Sequence, residues 1–379
     1  MKILHITPSY KPAYIYGGPI ESVSKLCEGL ASHGHEVDVF TTTANGDMEL
    51  DVKAGEPVDV DGVKVTYFMR VTKDPTHASP ALWRHLYANV KSYDIVHIQS
   101  WWNFLVVGAA MVCNFRKVKV VISPRGMLSQ YIFTSGKSRS KKMIHNSVGR
   151  KALAKSWFHA TATAEFEECR EVIEGWKGFV EPNIISLPEV AVTKKENAVF
   201  TLIFMSRVHP KKGIEILLHA ISKVSFPVLL KIAGSGDDQY ISDLKNLVAE
   251  LGIAEKVEWL GWLDREAKFK ALMNADLFTL VSHNENFANV VIESLHMGTP
   301  ALVSEAVALS AFVEKNDMGW VSTLEVDDVV EKLTAAKTDQ QKLKRINETG
   351  RAVIDEHFSP DKLIENYVTA YKNIISSGN

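Results

Sequence analysis

Short apolar runs alternate with amphipathic stretches along almost the whole chain. Residues 2–7 read as a buried strand. A loop containing Gly17-Gly18-Pro19 follows, then a helical period over 20–32 carried by Ile20, Val23, Leu26, Cys27 and Leu30. His33-Gly34-His35 turns the chain into a strand at 36–42. Further strands are expected at 63–69, 94–99, 118–123, 157–161 and 179–185. Helical stretches are expected between them at about 80–92, 103–113, 137–155 and 164–174. Strand–helix alternation of this kind predicts a parallel sheet covered on both faces.

Residues 187–198 are polar, lack a clear period and read as a linker. Alternation then restarts, with strands expected at 199–206, 227–233, 256–260, 277–281 and 300–304. Helices are expected at 213–224, 239–251, 265–274, 289–297 and 326–337, and two more at 339–356 and 360–376 close the chain. The predicted fold class is α/β, with two doubly wound Rossmann-like domains facing a cleft. Ligands in such sheets sit beyond the strand C-termini.

The length of 379 residues fits two domains, each large enough for its own core. Apolar residues at 46% and charged residues at 23% exclude disordered, collagen-like and coiled-coil classes. No apolar run approaches the ~18 residues of a membrane span, and the N-terminus reads as a strand without a signal-peptide core. A cytoplasmic location is therefore expected. Cys27, Cys113 and Cys169 are widely spaced and odd in number, which fits reduced buried thiols.

Net charge is −2, but its distribution is uneven. Residues 95–164 hold eleven Lys or Arg and no acid, leaving 32 basic against 45 acidic residues elsewhere. A basic region in a mildly acidic chain implies an anionic partner.

Four loops carry candidate chemistry. Gly17-Gly18-Pro19 stands between a strand and a helix, where glycine lets backbone approach a ligand and the helix N-terminus favours an anion. It is not a dinucleotide fingerprint, and a loop that simply needs glycine reads equally well. Ser206-Arg207-Val208-His209-Pro210-Lys211-Lys212-Gly213 places Arg207 at a strand end and Lys212 before a helix. A planar fork and a mobile point charge suit a diphosphate; a solvated charged turn is the alternative. Ala233-Gly234-Ser235-Gly236 is another close-approach loop, or only a turn. The segment from Ser282 to Glu293 runs from a strand into a helix starting near Asn289. Glu285 then lies before the helix and Glu293 inside it, so the two carboxylates can address different parts of one elongated ligand. The first helical amides, at Asn289 and Val290, are expected to lack intrahelical acceptors. Alternatively Glu285 caps the helix dipole and Glu293 is a surface residue.

Taken in order, these elements resemble the retaining glycosyltransferases of the GT-B fold, family 4 (glycosyl transferases group 1). Gly17-Gly18 with Gly34-His35-Glu36-Val37 is similar to that family's opening. Arg207, Lys212 and Gly213 are similar to its G-R-L-x-x-x-K-G element, with Ser206 for the first glycine. Glu285 and Glu293 match its E-x7-E motif, followed by Met297-Gly298-Thr299-Pro300. The resemblance implies a sugar transferred from a nucleotide sugar, such as a UDP- or GDP-sugar, to a glycan or polyprenyl-linked acceptor, in surface polysaccharide assembly. It implies residues 1–186 as the acceptor domain, with helix 360–376 crossing back to it, residues 187–198 as the linker and 199–357 as the donor domain. It implies that Gly17, Gly18 and the following helix approach the diphosphate and that Gly234 lies in the donor site. Arg207 and Lys212 neutralise the leaving group, and Glu293 binds the ribose. Glu285 with the amides of Phe287, Ala288, Asn289 and Val290 holds the sugar. No cofactor or metal is implied.

Three further positions depart from the pattern. Ala288 stands where glycine is common, and Gln99 and Arg125 replace histidines. Arg125 suits a phosphate or an acidic acceptor, whereas His97 is a donor or acceptor contact or, more in keeping with its strand, a core residue. Lys137, Arg139, Lys141, Lys142, Arg150, Lys151 and Lys155 flank Met143, Ile144, Val148 and Leu153. That combination fits peripheral contact with an anionic membrane at its inner face, or a solvated basic helix. A nucleotide-sugar epimerase or a non-catalytic nucleotide-sugar binder is the alternative function, and no nucleic-acid motif is present.

Overall fold

The computed structural model describes residues 1–128, 149–194 and 196–377. The chain divides into two compact units, Met1–Ser186 with Pro360–Asn379, and Leu187–Ser359. The basic stretch noted above falls largely outside the described residues; of it, the structure shows a short helix at Arg150–Leu153.

The first unit is built on an eight-stranded sheet. Its strands are β1 (Lys2–Ile6), β2 (Glu36–Thr42), β3 (Pro57–Val60), β4 (Val63–Phe68), β5 (Ile95–Gln99), β6 (Val120–Ser123), β7 (Trp157–Ala160) and β8 (Gly178–Val180). They lie in the order β8-β7-β6-β5-β1-β2-β4-β3, all parallel except the β3–β4 edge pair. Side chains alternate across the sheet. Leu4, Ile6, Val96, Ile98 and Ile122 face a core shared with α2 (Pro80–Asn89) and α3 (Phe104–Arg116). Ile3, Val37, Ile95 and Val121 face α1 (Gly18–Ser32) and the last helix of the chain, Pro360–Ser376. Tyr367 and Tyr371, one turn apart on that last helix, bury their rings here.

On the same face, His5 and His97 are paired in register on adjacent strands β1 and β5, and His159 stands on β7, one strand beyond β6. Hydrogen bonds link the Tyr371 hydroxyl to His97 Nδ1 (2.6 Å), His97 Nε2 to Ser123 Oγ (2.6 Å), and Ser123 Oγ to His159 Nδ1 (2.6 Å). The Tyr367 hydroxyl lies 2.9 Å from His159 Nε2. The sequence shows no periodicity that announces this polar layer.

The second unit carries a six-stranded parallel sheet: β9 (Phe200–Met205), β10 (Val228–Ala233), β11 (Val257–Gly261), β12 (Leu277–Leu280), β13 (Ala301–Ser304) and β14 (Gly319–Ser322). The order β11-β10-β9-β12-β13-β14 reverses direction between β9 and β12. That reversal is the topological switch point, where a crevice opens beyond the strand C-termini. Helices α4 (Ile214–Lys223), α5 (Asp238–Glu250), α6 (Arg265–Asn274) and α7 (Asn289–His296) belong to this unit.

Several elements differ from the sequence reading. The strand expected at 179–185 is confined to Gly178–Val180, because Pro182 cannot extend a ladder. Edge strands Pro57–Val60 and Gly319–Ser322 and the helix Ser310–Lys315 are too short to show a period.

Candidate active site

The loop after β9 and the loop after β12 meet at the switch point of the second unit. Lys211 carbonyl oxygen accepts from Ser282 Oγ (2.8 Å) and from the His283 amide (2.9 Å). Gly213 adopts φ 62°, and a Cβ there would come within 2.0 Å of the Val281 carbonyl oxygen. Only glycine permits that approach, so the N-terminus of α4 is held against the end of β12. Gly234 and Gly236 serve the same purpose one strand over. A Cβ at Gly234 would meet Ser206 O at 1.9 Å, and one at Gly236 would meet Val208 O at 2.0 Å. The close approach foreseen at Gly234 is thus made by the chain's own backbone.

These contacts bring two of the predicted side chains together. The Lys212 ammonium donates to the Glu285 carboxylate, with both side chains largely buried. Glu285 is fixed by its backbone, donating its amide to Ala306 O (3.0 Å) and accepting from the Ala308 amide (3.0 Å). Arg207 is exposed at the end of β9 and has no ion pair among the described residues. The local field is positive: His209 is held below its ordinary pKa by burial and then by Arg207, Lys211 and Lys212.

Glu293 lies one turn inside α7, buried, with Lys268 Nζ of α6 donating to its Oε1 at 2.7 Å. Lys268 is a site residue that the sequence did not reveal, since no spacing ties it to Glu293. Ala288 precedes α7 in the left-handed region (φ 64°, ψ 69°), the conformation that makes glycine the easier residue there. Phe287 is buried against Phe358, so only its backbone remains for a ligand. Asn289 and Val290 are the first two residues of α7, where helical amides point out of the helix end. Asp237 caps α5 through Tyr240 N at 3.0 Å. Among the described residues, no group of three His, Cys, Asp or Glu is arranged to hold a metal.

In the first unit, Gly17 precedes α1 at φ 70°, ψ −141°, a region closed to other residues, and Gly18 is the first helical residue. His97, read as a ligand contact or a core residue, is fully buried with both ring nitrogens engaged. Arg125 reaches Gln99, Ser22 and Asn183 within this unit.

Comparison with known proteins agrees with this architecture. Residues 17–173 match the glycosyl transferase 4-like domain, and residues 189–353 match glycosyl transferases group 1. An uncharacterized glycosyltransferase of Methanocaldococcus jannaschii, MJ1607, is 26% identical over an alignment of 401 positions covering 98% of each chain. Sucrose-phosphate synthase from Thermosynechococcus elongatus matches over 100% of both chains, with a TM-score of 0.75 at 17% identity. Anabaena Alr3699/HepE in complex with UDP matches over 98% of this chain and 100% of its own, with a TM-score of 0.76 at 18% identity. The fold is GT-B, and the chain belongs to the group 1, family 4-type glycosyltransferases.

Proposed function

We propose that this glycosyltransferase moves a sugar from a nucleoside-diphosphate donor to a glycan or polyprenyl-linked acceptor, with retention at the anomeric carbon and without a metal. The observation that supports the reading is the Lys212–Glu285 ion pair where the loops after β9 and β12 meet, with Arg207 exposed at the end of β9 and the Glu293–Lys268 pair linking α7 to α6 in the same unit. When the bond from the anomeric carbon to the diphosphate oxygen breaks, the electron pair stays on that oxygen. Arg207 and Lys212 stabilise the charge as it develops, which lowers the barrier more than it strengthens ground-state binding. Glu293, an acceptor-only group held by Lys268, suits the two ribose hydroxyls. Glu285 beside Lys212 suits hydroxyls of the transferred sugar.

The UDP held by the Anabaena protein supports UDP-sugars as the first donors to test. Screening UDP- and GDP-sugars by thermal shift should find one that raises the melting temperature. With that donor and a lipid-linked acceptor, nuclear magnetic resonance should show the donor's anomeric configuration in the product, and EDTA should leave turnover intact. An inverted product, turnover restored only by Mn²⁺, or an epimer formed from donor alone would overturn the reading. Assembly of surface polysaccharide at the inner face of the cell membrane is the setting we propose, with peripheral contact to anionic lipid. Sedimentation with vesicles should then depend on their anionic fraction.

A further inference from the structure

Arg125 is placed as few cations are. It follows β6 with its backbone in the left-handed region (φ 53°), a strained conformation for a non-glycine residue. Glu165 holds the turn, accepting from the amides of Gly126 (2.6 Å) and Thr161 (2.8 Å) and from Thr161 Oγ1 (3.0 Å). The guanidinium donates from Nε to Gln99 Oε1 (3.0 Å) and from Nη1 to Ser22 Oγ (3.0 Å) and Asn183 Oδ1 (3.1 Å). All three acceptors are neutral. Among the described residues, Nη2 has no hydrogen-bond partner and no carboxylate pairs with Arg125.

The surroundings do not balance the charge. His5, His97 and His159 are kept neutral by burial, as are Tyr367, Tyr371 and Cys27. Among the described residues, Glu165 is the carboxylate acting on Arg125 from nearby, and its oxygens are spent on the turn. Desolvation pushes the Arg125 pKa down, the mark of a cation short of counter-charge. Ser22 stands in the second turn of α1, whose N-terminus has no side-chain cap, so the nearby helix dipole adds positive potential. Buried charges are ordinarily paired, because an unpaired one is costly. Yet Arg125 is partly exposed, so a ligand can reach it.

We propose that Arg125 anchors an acidic group, a carboxylate or a phosphate, carried by one of the two substrates. The ligand class rests on the glycosyltransferase reading; the anion site does not. The acid belongs either to the transferred sugar or to the acceptor, and a planar guanidinium fork serves both.

Calorimetry on the full chain distinguishes the sources. UDP-glucuronate against UDP-glucose tests the donor; methyl glucuronide and glycerol phosphate against methyl glucoside test the acceptor. One acidic probe should bind at least about tenfold more tightly than its neutral counterpart, the scale of a charge-assisted contact. Arg125→Gln should reduce that preference to within twofold while leaving UDP affinity unchanged. Gln99→Glu supplies an internal carboxylate beside Arg125 Nε and should also abolish the preference, with Arg125 retained. This second variant decides the matter if Arg125→Gln does not fold. No charge preference in any arm, or a preference that survives both substitutions, overturns the proposal. A chain that binds acidic probes but no nucleotide overturns the donor reading instead.

Discussion

Lys212 and Glu285, 73 residues apart, form an ion pair where the loops after β9 and β12 converge. Each satisfies the other, and on the proposed function a diphosphate would compete with Glu285 for the ammonium. Removing one fixed charge from a developing anion costs about 10²–10³-fold in turnover in comparable sites. Lys212→Ala should fall in that range in kcat. Glu285→Gln keeps shape and hydrogen bonding, and should lower kcat by at least about tenfold with UDP affinity changed less than threefold. Steady-state kinetics and UDP titration separate the two; unchanged turnover in Glu285→Gln removes it from the site.

Glu293 and Lys268 form the second pair, at 2.7 Å. On the proposed function, Lys268 is a positioning residue for the buried Glu293 carboxylate, which would hold the ribose. Lys268→Met should raise KM for the nucleotide sugar about tenfold while leaving kcat within threefold, because ribose binding is shared by ground and transition states. A fall in kcat alone would contradict that role.

Ala288 occupies a left-handed conformation that costs an L-residue about 1–2 kcal/mol. Ala288→Gly should raise unfolding stability by about 0.5–1 kcal/mol after the greater chain entropy of glycine is offset. Ala288→Val should lower it, since β-branching adds to the strain. Urea titration of both variants checks the sign.

Burial holds His5 and His159 down to about 3, and His97 well below its usual value. Unfolded histidines titrate near about 6.5, so between there and about 3 the unfolded chain binds protons that the folded chain refuses. Stability from these groups is complete above about pH 6.5 and is lost as pH falls through that window. Each contributes a slope of about 1.4 kcal/mol per pH unit. His159→Gln should flatten the slope between about pH 5.5 and 4 by roughly one proton's worth. Urea midpoints across that range provide the measurement, and an unchanged slope contradicts it.

Local order was legible in the chain itself. Burial on both faces imposes continuous apolar runs on the parallel strands, and helix faces impose their own period, so the β-α alternation can be read residue by residue. The helix beginning at Asn289 was legible too, and with it the placing of Glu285 before the helix and Glu293 within it. What a linear reading cannot contain is partnership. Lys268 reaches Glu293, Lys212 reaches Glu285, and His5, His97 and His159 share one layer, because strand order and register bring remote segments together. Nor could a basic residue such as Arg125 announce whether a carboxylate would stand beside it. The sheet order and the turn built on Glu165 decided that its hydrogen-bond partners are neutral, and electrostatics in a poorly hydrated setting makes that difference matter.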